Sequence, residues 1–278
     1  MNNILIIGAD GQLGKELSKL YPESKKLYHK DHGELNLNLF NEDDIINKLS
    51  KINPNIIINT ASLTNVDKCE KEKEYAYKVN GYSLKIITEY ARSKNIYLIH
   101  ISTDYVFNGN SSYYSEESIP DPINYYGFSK LIGDIYINSY NKSLIVRTSG
   151  VYGYKNNFPL FVYNSLKDNK NINIIKGYYS PIHAYNLALA IQKLIDNNIY
   201  GIINIAGIRI SRINFANKIA DFFNLNKELI NENEVKMYAK RPYDSSLNID
   251  KAKSLINFDF YSLNSNLDIF KKEIEYLK

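Results

Sequence analysis

Ile4-Leu5-Ile6-Ile7-Gly8-Ala9-Asp10-Gly11-Gln12-Leu13-Gly14 is the stretch from which the fold can be read. Four apolar, mostly β-branched residues in a row suit a strand buried on both faces of a parallel sheet. The glycines that follow are spaced Gly-x-x-Gly-x-x-Gly, and a helical segment runs from Gln12 to about Leu20. Strand, glycine turn and helix together form the phosphate-binding start of a dinucleotide fold. The glycines permit a tight turn and close backbone approach, and the helix N-terminus faces a pyrophosphate. The spacing differs from the Gly-x-Gly-x-x-Gly fingerprint, so the reading rests on where the glycines stand, directly behind a buried strand. A merely structural turn is the alternative.

Outward from this start, strands and helices alternate. Lys26–His29 reads as a second strand, with His29, Lys30 and Asp31 where such folds meet the adenosine ribose. His29 and Lys30 could accept a 2′-phosphate, which leans toward NADP(H) and leaves NAD(H) open; solvated loop charges are an equal alternative. Residues 41–52 form an amphipathic helix with an acidic first turn. Ile56–Ile58 is a buried strand ending in Asn59-Thr60-Ala61-Ser62, small residues that would let a nucleotide lie against the backbone. A helix is expected over 72–94, with Asn80 as a satisfied packing residue on it. A strand at 97–101 leads into Ser102-Thr103-Asp104-Tyr105-Val106-Phe107, and another covers 144–147. Beyond residue 150 the pattern loosens into helices at 157–168, 182–196, 211–223 and 249–256, with a strand at 202–205. Ser211 is a natural cap for the third of these helices. The sum is an α/β chain built on a doubly wound parallel sheet. Residues 1–150 would be the dinucleotide-binding domain, and 151–278 a smaller substrate-binding lobe interleaved with it.

In the middle stands Tyr125-Tyr126-Gly127-Phe128-Ser129-Lys130, leading into a helix expected from Ser129 to Tyr140. Four residues are about one turn, so Tyr126 and Lys130 share a face, offset by ~6 Å. A free phenol titrates near pH ~10, and a nearby cation lowers that value and makes proton transfer to a reduced carbonyl oxygen competitive. With 25 tyrosines and 34 basic residues, the spacing also arises by chance. Its weight comes from the dinucleotide motif before it. A Thr103 hydroxyl at the end of a central strand could orient a carbonyl beside Tyr126.

The composition excludes several classes. Thirty-four basic against 30 acidic residues leave a net charge of +4, and no basic tract with interleaved aromatics marks a nucleic-acid surface. The apolar run before Gly8 is too short for a membrane or signal segment. The single Cys69 rules out an internal disulfide and fits a reducing, cytoplasmic setting. His29 and His32 lack a further matched pair, so no metal is expected. The oligomeric state is open, a homodimer included.

Taken together, Gly8/Gly11/Gly14, Thr103 and Tyr126/Lys130 resemble the extended short-chain dehydrogenase/reductase family, with its Rossmann-like fold. Residues 11–14, 64–70, 102–107 and 124–133, with Arg147-Thr148-Ser149 and Lys240-Arg241-Pro242, resemble the dTDP-4-dehydrorhamnose reductases within it. The resemblance implies NAD(P)H-dependent reduction of a nucleotide-sugar C4 ketone. Tyr126 would donate the proton, Lys130 would lower the phenol pKa and bind the nicotinamide ribose, and Thr103 would hold the carbonyl. Tyr105 would line the sugar site. Gly8, Gly11, Gln12, Leu13 and Gly14 would surround the pyrophosphate. Ala61 and Ser62 would line the adenosine side, Thr64 the nicotinamide half, and Arg241 would contact the substrate nucleotide. Two departures stand out. Gly150 occupies the place of a tryptophan that commonly packs on substrate, with Tyr152 as a partial replacement, and Asn38-Leu39 replaces Asp-Leu near the adenine. Two further readings are a non-catalytic regulatory subunit resembling the methionine adenosyltransferase β subunit, and a sugar-nucleotide epimerase.

Overall fold

The architecture is given by a computed structural model that describes residues 3–155, 157–233 and 236–276. Six strands pair in parallel in the order β10-β5-β4-β3-β1-β2: β1 (Ile4–Ile7), β2 (Lys25–Leu27), β3 (Ile56–Asn59), β4 (Tyr97–Thr103), β5 (Ser143–Thr148) and β10 (Gly201–Asn204). The unbroken apolar runs follow from burial on both faces. Ile4, Ile6, Ile58, Ile99 and Val146 face one core with helices α1 (Gln12–Leu20) and α8 (Ala184–Asp196). Leu5, Ile7, Ile57, Leu98 and Ile145 face the other, with α2 (Glu42–Ile52) and α5 (Ser83–Ser93). The chain leaves β1 for β2 on one side and returns to β3 on the other. This reversal opens a crevice at the carboxyl ends, where doubly wound sheets bind ligands.

The expected helix over 72–94 is interrupted. Helices α3 (Val66–Lys71) and α4 (Lys73–Tyr77) precede a π-helical turn at Lys78–Tyr82, and α5 follows it. The cause is close packing against α6 (Tyr125–Asn138): a Cβ on Gly133 would stand 2.4 Å from Asn80 O, and one on Gly81 3.0 Å from Ile132 Cγ2. The α6 helix starts four residues before the expected Ser129, because the Asn124 side chain accepts from Gly127 N at 2.9 Å. Tyr126 therefore lies in its first turn. Likewise Ile182–His183 is a short strand, β9, and α8 begins only at Ala184, where the His183 side chain accepts from Tyr185 N.

Residues after 150 serve both parts of the molecule. The α8 and β10 elements extend the large sheet's core. A third core gathers β6 (Val151–Tyr152), α7 (Phe158–Lys167), β7 (Ile172–Ile174), β8 (Tyr178–Tyr179), α9 (Arg212–Phe223) and α11 (Leu263–Tyr276) around Phe215 and Phe270. Ser211 caps α9 by accepting from Asn214 N at 3.2 Å. Among the described residues no helix is long and apolar enough to cross a membrane.

Candidate active site

Two cavities meet at the carboxyl edge of the sheet. One, of about 840 Å³, reaches from the glycine turn across the ends of β4 and β5 to the third core. The other, of about 510 Å³, lies on the β2 side, and both are bordered by Gly11, Thr60 and Ser62. Their common wall is the glycine turn. Gly8 has φ +81°, and a Cβ there would stand 2.7 Å from Ala61 N. A Cβ on Gly14 would stand 2.2 Å from Gly8 O, so α1 can begin this close to β1 only with glycine. Among the described residues no side chain caps the start of α1 at Gly11, which leaves its first N–H groups for a ligand. Gln12 and Leu13 line the larger cavity beside them.

The smaller cavity has a flat aromatic flank, with Phe40 and Tyr75 stacked at 4.6 Å. Ala61 and Ser62 line it, and Thr64 lines the larger one. Asn80 ties this edge together: its Oδ1 accepts from Ser62 Oγ and Leu63 N, and its Nδ2 donates to Leu63 O and Ser129 Oγ. Asn38 also lines the smaller cavity, its Oδ1 accepting from Phe40 N at 3.0 Å. Lys30 does not take the place expected of it. It is exposed and borders neither cavity, whereas Tyr28 and His29 do.

Thr103, Tyr105, Tyr126 and Lys130 converge on the larger cavity. A Cβ on Gly127 would stand 2.0 Å from Tyr105 O, so the first turn of α6 presses on the loop after β4. That contact sets the Tyr105 and Tyr126 rings edge to face at 5.9 Å. Thr103 Oγ1 donates to Asp104 Oδ1 at 3.1 Å and accepts from Tyr105 N at 3.2 Å. Burial pushes the Tyr126 phenol above its ordinary range; the hydrogen bond with Thr103 pulls the other way, and the Asp104 carboxylate raises it further. Lys130 is not among the groups that set this shift; its amino group meets Ile101 O at 2.7 Å and His100 Nε2 at 3.0 Å. Burial lowers Lys130 to about 8, opposed by the Asp134 carboxylate.

Arg241 likewise departs from expectation. It lines neither cavity but pairs with Asp67 at 3.2 Å and donates to Ala239 O, pinning the segment around 240 to α3. The arginine at the cavity is Arg212, the first residue of α9, whose guanidinium lies 4.6 Å from the Tyr179 ring centre. Among the described residues its Nε is buried without a hydrogen-bond partner. Tyr179, not Tyr152, covers Gly150: a Cβ there would stand 2.7 Å from the Tyr179 ring, while Tyr152 packs on Phe215 and Phe270. Sequence reasoning also missed Asp104. Its Oδ2 accepts from Ser149 Oγ at 2.7 Å and Ser245 Oγ at 2.5 Å, joining both halves of the chain beneath Thr103. For Arg212 the one local hint was its place directly after the capping Ser211. Among the described residues no group of three or more His, Cys, Asp or Glu side chains is placed to hold a metal.

The family described as the RmlD substrate binding domain matches residues 1–275. The dTDP-4-dehydrorhamnose reductase of Aggregatibacter actinomycetemcomitans is 32% identical over 272 residues, covering 90% of this chain and 92% of that protein. The crystal structure of a hypothetical dTDP-4-dehydrorhamnose reductase from Sulfolobus tokodaii superimposes with TM-score 0.89 at 46% identity, covering 94% of this chain and 97% of that one. The Bacillus anthracis dTDP-4-dehydrorhamnose reductase, solved in complex with NADP, gives TM-score 0.89 at 31% identity, covering 98% and 99%. With this match over nearly its whole length, the chain belongs to the RmlD substrate binding domain family, that of the dTDP-4-dehydrorhamnose reductases within the extended short-chain dehydrogenases/reductases.

Proposed function

We propose that this protein reduces the C4 keto group of dTDP-4-dehydro-L-rhamnose to dTDP-L-rhamnose with NADPH or NADH. The observation that carries the reading is one cavity holding the Thr103 hydroxyl, the Tyr126 phenol and the Lys130 amine, continuous with an uncapped helix start behind a glycine turn. The turn fits a dinucleotide, since added Cβ atoms would collide with backbone at Gly8 and Gly14 and the free N–H groups suit a pyrophosphate. Gly8, Gly11, Gln12, Leu13 and Gly14 would hold the pyrophosphate. Ala61 and Ser62 would flank the adenosine, and Thr64 and Lys130 the nicotinamide half. Bound there, the cofactor supplies the hydride.

The chain's own groups do the rest. To donate a hydrogen bond to the carbonyl oxygen, the Thr103 hydroxyl turns its one proton away from Asp104 Oδ1, and the carboxylate keeps its two serine donors on Oδ2. Tyr126 gives its proton to that oxygen as negative charge develops. A phenol held protonated by burial is suited to this, because the alkoxide it meets is a far stronger base. Lys130, in its protonated form, places a positive charge one helical turn from the phenol. Tyr105, Tyr179 and Arg212 border the sugar and nucleotide space. Gathering all three reactive groups in one cavity favours catalysis over the regulatory-subunit reading. We place the enzyme in the cytoplasm, on the strength of its lone, buried Cys69. The test is oxidation of NADPH and NADH by the purified protein on freshly generated keto sugar, with Tyr126→Phe alongside. Cofactor binding without substrate-dependent oxidation would sink the assignment.

A further inference from the structure

Running inward from Lys130 at the cavity wall is a chain of buried polar groups, Asn59, His100, Lys130 and Asp134, with no more than 3% exposure each. Asn59 Oδ1 accepts from Ala61 N at 3.3 Å, which turns its Nδ2 toward His100 Nδ1 at 3.1 Å. An amide N–H can only donate, so Nδ1 accepts and the neutral ring carries its proton on Nε2. Nε2 in turn faces Lys130 Nζ at 3.0 Å. An N–H in that position matches a free amine, which has a lone pair, and not an ammonium, which has none. The ammonium needs the other tautomer, with Nε2 accepting and Nδ1–H donating to an Asn59 amide turned over. Ile101 O, at 2.7 Å, accepts from Nζ in either case. Two arrangements of the His100–Lys130 contact are available; they differ by one proton on Lys130, and the second gives up the Ala61 N–H bond to Asn59.

We propose that His100 is the positioning residue of Lys130, holding the amino group in both charge states by exchanging tautomers against Asn59. Burial drives the imidazole well below its ordinary range, so the ring stays neutral throughout the exchange, and the change of charge falls on Lys130. The charged and titratable groups facing the pair are Asp134 and Tyr126 of α6, Cys69 of α3 and Arg147 of β5. Asp134 Oδ1 stands 3.9 Å from His100 Nε2, beyond hydrogen-bond reach, and its Oδ2 is held by Ser102 at 2.8 Å with Arg147 at 3.6 Å. Asp134 therefore stabilises the ammonium without replacing His100 as its partner.

The inference rests on the reductase reading, and its test separates the two. Activity and NADPH affinity are measured from about pH 6 to 9.5 for the wild type, His100→Phe and His100→Gln. The wild type should lose its Lys130 proton near pH 8 in both profiles. His100→Phe, which offers no acceptor, should move that limb down by about one unit, about a tenfold loss near pH 8 relative to pH 6. His100→Gln can present either its carbonyl or its amide and should restore the limb. If the Phe ring is not accommodated, His100→Leu carries the same expectation. Profiles of the apolar variant that superimpose on the wild type overturn the inference, as does a Gln variant that behaves like Phe. Failure of the wild type to turn over keto sugar overturns only the reductase reading, because the NADPH affinity profile still decides the role of His100.

Discussion

Tyr126 is held protonated by the same burial that lets Thr103 and Asp104 act on it, and at this scale the neighbours matter more than the motif. The four-residue spacing to Lys130 was legible because a helix dictates it. The partner that actually occupies Lys130, His100, sits thirty residues earlier on β4, and no local pattern announces it. Charge was the least legible property. Lys30 and Arg241 had the right chemistry for a phosphate, but nothing in a local sequence says whether a cation faces a cavity, open water or a carboxylate such as Asp67. Arg212 is the arginine the fold delivers to the cavity. Replacing it with methionine preserves its packing on Tyr179 and removes its charge, so steady-state kinetics of Arg212→Met should show KM for the nucleotide sugar raised about tenfold, with kcat changed little. An unchanged KM would remove Arg212 from the substrate site.

Among the elements, the strands and the glycine turn were readable because burial on both faces leaves a continuous apolar run and a phosphate turn needs glycine. The interrupted helix was not. Its π turn exists because Gly133 of α6 lets Asn80 O come close, a contact between segments fifty residues apart. That turn aims Asn80 at Ser62, Leu63 and Ser129, coupling the cofactor edge to the helix of Tyr126. Gly133→Ala should therefore cost about 1–3 kcal/mol by overpacking, read from urea unfolding, and weaken cofactor binding without touching a ligand. Gly14→Ala places a Cβ 2.2 Å from Gly8 O and should abolish NADPH binding in a fluorescence titration while the keto-sugar cavity persists. Retained binding would mean that the turn does not hold the pyrophosphate.

At the scale of the molecule, the parallel sheet and its reversal beside β1 follow directly from the alternating pattern. The chain after 150, by contrast, is shared between the sheet and a third core, which periodicity alone does not apportion. The buried Lys130 links this architecture to pH. Its pKa is lowered to about 8 in the fold, against an ordinary lysine value near ~10.4 when unfolded. Below the folded value both states carry the proton and the full cost of burying the charge is present. Between about pH 8 and 10 the unfolded state binds more protons, so stability rises with pH relative to a chain lacking this group. Urea unfolding at several pH values should show wild type gaining on Lys130→Met over that window, by up to about 3 kcal/mol. A constant difference would contradict the lowered pKa.

The central claim, that Tyr126 is the acid of a keto-sugar reductase, is met most directly by single-turnover reduction of dTDP-4-dehydro-L-rhamnose by wild type and Tyr126→Phe, each saturated with NADPH. The account predicts at least about a hundredfold slower reduction in the variant with cofactor affinity nearly unchanged. A variant that reduces the sugar at the wild-type rate would contradict it.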